Sequence, residues 1–105
     1  MNKRQIDRIT KMESYLDDSE KAIRELSEAL SKYEEVRDRY YKLEAYYGSR
    51  NWMDDFEADE EGRIPADLKR GVLSEDAVYD LMTEHRELMT RMQRAVLKSM
   101  EETEF

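Results

Sequence analysis

A chain of 105 residues has room for one domain with a modest core, and its 42% charged residues, of mixed sign, leave it at net −8. Having no cysteine excludes disulfides, thiolate metal sites and cysteine nucleophiles, and having no run of about 18 apolar residues excludes a membrane span. The acid excess, with no basic face standing out, argues against binding nucleic acid through its phosphates.

From Met1 to Tyr47 there is neither glycine nor proline. The amphipathic start, in place of an apolar leader, makes a cytoplasmic protein the expectation. Apolar residues recur at alternating steps of three and four: Ile9, Met12, Leu16, then Ser19 as a polar lapse, then Ile23, Leu26, Leu30 and Tyr33. That is a heptad seam, reinforced at its start by Ile6, and it predicts a helix over about 3–47, roughly 70 Å long. Beyond Tyr33 the seam resumes displaced by one residue, as Val36, Tyr40, Leu43 and Tyr47. Such a slip turns the stripe around the helix or marks a change of packing partner. Acid-before-base pairs four apart, from Asp7–Lys11 to Asp38–Lys42, support a long helix at about 0.2–0.5 kcal/mol each. Asp17 and Glu20 have capping-box spacing, so a restart of the helix there is the alternative.

Gly48 stands where a left-handed C-cap belongs, and Ser49 where an N-cap belongs. A short helix then places Trp52, Met53 and Phe56 on one face. After the acidic run through Glu61 and a loop at Gly62, Pro65 suits the start and Gly71 the end of another short helix. Residues 49–72 thus form a compact segment of short helices. A last helix over about 75–100 begins at the N-cap Ser74, with Leu73 stapled to Val78. Its stripe runs Val78, Leu81, Met82, His85, Leu88, Met89, Met92, Ala95, Val96 and Met100, and its acidic end, Glu101-Glu102-Thr103-Glu104, opposes the helix dipole. The expected fold is all-α, one domain over 1–105. The long N-terminal helix lies antiparallel to the C-terminal one, in an elongated hairpin or bundle with short helices between.

The runs Leu43-Glu44-Ala45-Tyr46-Tyr47-Gly48-Ser49, Asp55-Phe56-Glu57-Ala58-Asp59-Glu60 and Pro65-Ala66-Asp67-Leu68-Lys69-Arg70-Gly71-Val72-Leu73-Ser74-Glu75-Asp76, with Trp52, resemble a known family. It is the small bacterial domain-of-unknown-function family numbered 4298, and the resemblance covers nearly the whole chain. It implies a small bacterial helical protein and carries over no catalytic residue.

Three constellations could bear chemistry. Asp80, Glu84 and Glu87 share a helix face, as helical metal sites require, which admits a metal-dependent hydrolase. That face points about 120° from the apolar stripe at 100° per residue, so a solvated charged face explains it better. A calcium loop over Glu57, Asp59, Glu61 and Gly62 fails at Leu68, where a bidentate glutamate is needed. His85, the single histidine, lies on the apolar stripe and reads as a packing residue. No catalytic residue, metal or cofactor is expected.

The function expected instead is protein–protein interaction. The C-terminal helix is too short to cover the whole first helix, which leaves Ile6, Ile9, Met12, Leu16 and Ile23 for self-association as a homo-oligomer, a dimer. A further, unidentified protein partner would read the aromatic and acidic residues Tyr40, Tyr41, Tyr46, Tyr47, Trp52, Asp54, Asp55, Phe56 and Glu57, the aromatics being typical of interface hot spots. The competing reading of the aromatics is a core where the first helix turns. The acidic run admits nucleic-acid mimicry, as a decoy for a basic protein.

Overall fold

A computed structural model describes residues 1–103, which form an all-α fold with no strand among them. Helix α1 spans Lys3–Tyr46, α2 spans Arg50–Glu60 and α3 spans Ala77–Glu102, with a 3-10 helix at Gly71–Leu73. No described helix is long and apolar enough to cross a membrane. The chain divides into two units, the first Met1–Tyr40 and the second beginning at Tyr41.

In the first unit the helix starts from a reciprocal cap. Asn2 Oδ1 accepts the Gln5 backbone N–H at 2.8 Å, and the Asn2 N–H reaches Gln5 Oε1 at 3.3 Å. Two of the four backbone donors orphaned at a helix start are satisfied this way. The helix runs through Asp17–Glu20 without a break, so the capping-box spacing there starts nothing. With apolar residues at helical period on both sides, restarting the helix would give up backbone hydrogen bonds and gain only one cap. The acid-before-base pairs are not closed to ion-pair distance; Lys21 and Glu25 are, at 3.8 Å. Long exposed side chains gain too little from such pairing to be held in one geometry. Every residue of 1–32 is exposed, while Tyr33 and Tyr40 are half-buried.

In the second unit α1 ends where glycine permits it. Gly48 has φ 81°, a left-handed conformation that a residue bearing Cβ rarely adopts. Ser49 then caps α2: its extended backbone (φ −72°, ψ 169°) lets its hydroxyl oxygen accept the Trp52 N–H at 3.2 Å. A second left-handed glycine, Gly62 at φ 70°, closes α2, with the Arg63 N–H returning to Ala58 O at 2.9 Å. The short helix expected over Pro65–Gly71 is only a turn, in which the Leu68 N–H bonds to Pro65 O at 3.1 Å. So short a segment cannot recover the cost of nucleating a helix, and Gly71 opens the 3-10 helix where the sequence suggested an end.

Helix α3 begins at Ala77, three residues beyond Ser74, whose hydroxyl oxygen accepts the Ala77 N–H at 3.2 Å and whose hydroxyl donates to Gly71 O at 2.8 Å. Leu73 and Val78, at the two ends of the expected staple, are the buried apolar residues among those described. Most of the α3 stripe is less covered: Met82, His85, Met89 and Met92 are half-buried, and Val96 and Met100 are exposed.

Candidate functional site

Two sets of residues single themselves out, one in each unit. In the first, continuity of the helix puts the seam residues on one stripe, as their spacing requires. That stripe is open: Ile6 is 51% exposed, Ile9 47%, Met12 51%, Leu16 50% and Ile23 68%. Leu26 and Leu30 extend it and are also exposed. Isolated exposed leucines are ordinary, whereas these form a periodic apolar row over about six helical turns. Tyr40, at the end of this unit, is half-buried.

In the second unit the aromatics are drawn together around α2. The Trp52 ring stacks on Phe56 with centroids 5.1 Å apart and planes 19° off parallel, and Tyr47 meets Trp52 edge-on at 5.2 Å. These separations and angles suit the ring quadrupoles. The Trp52 indole N–H donates to Val72 O at 2.9 Å, and the Tyr47 hydroxyl to Glu75 O at 3.2 Å. Through these two bonds the aromatic cluster holds the segment that leads into α3. Arg70 adds a third tie, its guanidinium 2.7 Å from Asp59 Oδ1 with both groups partly buried. Sequence reasoning missed Arg70–Asp59 and Trp52–Val72, because partners 11 and 20 residues apart across irregular backbone leave no periodic signal.

Tyr46 is engaged separately from this cluster. Its hydroxyl donates to Asp55 Oδ2 at 2.6 Å, beside a shallow groove of about 340 Å³ that Ile64, Leu68, Arg63 and Arg70 also line. Loss of water around the phenol, then the hydrogen bond to Asp55 and the charge of that carboxylate, push the Tyr46 pKa up to about 12. The folded chain thus keeps this proton when the unfolded chain, near 10, has lost it. Its contribution to stability is complete below pH about 10 and declines as the pH rises towards 12. In a titration followed by phenolate absorbance, Tyr46 is expected to ionise late. Tyr46→Phe removes that late step and Asp55→Asn moves it down; an unchanged curve in both variants would show that the bond does not form.

Tyr41 sets its ring edge-on to His85 of α3 at 6.0 Å. Asp54 and Glu57 lie on the exposed side of α2. Asp80, Glu84 and Glu87 are exposed along α3, and no three acidic or histidine side chains converge as a metal-holding group among the described residues.

The class that these elements define is an all-α chain of two long helices, linked through a short capped helix and a segment tied down by aromatic and arginine side chains. The chain belongs to the family described as Domain of unknown function (DUF4298), whose sequence profile matches residues 9–95. The match takes in the seam from Ile9 onward, the aromatic segment and α3 as far as Ala95. No curated protein and no solved structure matches the chain.

Proposed function

We propose that this chain is a cytoplasmic protein–protein interaction module that self-associates, as a coiled-coil homodimer, through the N-terminal part of α1. The observation that carries the reading is the open stripe of Ile6, Ile9, Met12, Leu16 and Ile23. A helix in water gains most of its stability from packing an apolar face, and in Met1–Tyr40 nothing is buried. Residues 1–48 hold 11 acidic and 10 basic side chains, so two copies can approach without net repulsion. Beside the self-association, the exposed Asp54 and Glu57 offer a negative face to a basic protein partner.

Light scattering across a wide concentration range tests the proposal. A mass of two chains, falling to one only on dilution, is the expected result. One chain at every concentration would remove self-association as the role of the stripe.

A further inference from the structure

Resting on that self-association, the positions flanking the seam carry the inference one step further: we infer that the second copy lies parallel to the first and in register. With Ile9, Leu16, Ile23 and Leu30 at heptad position a and Met12, Ser19, Leu26 and Tyr33 at d, every other residue of the unbroken helix has a defined place. One flank, position e, carries Glu13, Glu20, Ser27 and Glu34. The other, position g, carries Arg8, Tyr15, Ala22 and Ala29, with no acid among them.

In a parallel pair each g residue faces the e residue five positions further along the other chain. Arg8 then meets Glu13 of the second copy, and by symmetry the pair forms twice. Tyr15 meets Glu20, and the alanines meet Ser27 and Glu34. No acid faces an acid. An antiparallel pair sets e against e and g against g. The three glutamates of one chain would then share a flank with the three of the other, with no base on that flank, and Arg8 would have no acid opposite it.

The polar lapse points the same way. In a parallel pair in register, like layers meet, so Ser19 lies against its own copy and one layer of the seam is polar. In an antiparallel pair a faces d, so Ser19 of each chain would lie against an apolar a residue and two layers would be compromised. Close opposite charges at such an interface set orientation more than they set affinity.

Because the chain has no cysteine, a single introduced one reports on geometry without ambiguity. Met12→Cys and Leu26→Cys, made separately, both stand at d. In the parallel dimer each faces its own copy within the ~7 Å between Cα atoms that a disulfide allows. In any antiparallel arrangement at least one of the two is held roughly 20 Å or more from its copy, since 14 residues of helix separate the positions. Under mild oxidation both variants are expected to form covalent dimers, roughly a thousandfold faster than Glu28→Cys on the outer face. A fixed contact presents a thiol at millimolar effective concentration against micromolar free chain. A dimeric mass with only one or neither d-position variant cross-linking overturns the parallel arrangement and leaves self-association standing. A monomeric mass for the unaltered chain overturns both.

Discussion

Ile9→Asp and Leu16→Asp are each expected to convert the proposed dimer to monomers. Both residues stand at position a, so each substitution removes an apolar side chain from both partners and sets two carboxylates face to face in one layer. Losing two apolar side chains that contribute about 1.5–3 kcal/mol each when fully buried costs ~3 kcal/mol or more. That is roughly a hundredfold or more in dissociation constant, before the charges are considered. The readout is mass by light scattering, with helicity by circular dichroism beside it, since no residue of Met1–Tyr40 is fully buried. Lys21→Asp, on the outer face, changes charge by a larger amount yet is expected to leave the dimer intact. Retention of the dimer by both seam variants would mean that the chains meet elsewhere.

Trp52→Ala is the largest expected loss in the second unit. It deletes the ring that stacks on Phe56 and meets Tyr47, and it frees the carbonyl of Val72 that the indole now engages. A fully buried tryptophan replaced by alanine costs about 3–5 kcal/mol. Trp52 is only half-buried, so about 2–3 kcal/mol is expected. Set against the ~5–15 kcal/mol of a whole domain, that is enough to move the midpoint of urea unfolding clearly downward. Trp52→Phe keeps most of the apolar contact and loses the hydrogen bond, for about 1 kcal/mol. If alanine and phenylalanine cost the same, the stacking would contribute nothing and the bond to Val72 would be the whole effect. In either variant α1 should still associate, because the seam lies in the other unit.

How legible all this was in the sequence varied with the range of the interactions. Local signals read true. A stretch without glycine or proline is one helix to Tyr46, Gly48 takes the left-handed conformation, Ser49 caps α2, and Leu73 and Val78 are buried, although Asp76 and not Ser74 is the N-cap of α3. Each depends on residues within a turn or two of each other, where backbone geometry alone decides the outcome. Even so, the Asn2–Gln5 cap went unnoticed, although asparagine followed three places later by glutamine was visible. Proline followed six residues later by glycine suggested a helix over Pro65–Gly71, but the segment is too short for one. The links across the second unit were out of reach, because Trp52 finds Val72, and Arg70 finds Asp59, only after the chain has turned back on itself. The aromatic residues were legible as a cluster, but which of them pack and which face water depends on that same turn. Tyr47, Trp52 and Phe56 pack together, whereas Tyr46 turns towards Asp55. The surface left open was easier to foresee than the one that closed, since an apolar row on an uninterrupted helix is visible in spacing alone.

Trp52 is the sole tryptophan, and it is anchored in the second unit. Its fluorescence is therefore a private gauge of the packing around α2, whereas peptide ellipticity sums every helical turn in the molecule. Helix α1 continues without interruption across Tyr40 and Tyr41, where the two units meet in sequence. If that rod transmits the loss of one half to the other, heating produces a single transition seen alike by both signals. If it frays from one end, the optical curves separate. The gap between two melting curves recorded on one sample thus measures, in degrees, how stiffly a single helix binds its halves into one cooperative body.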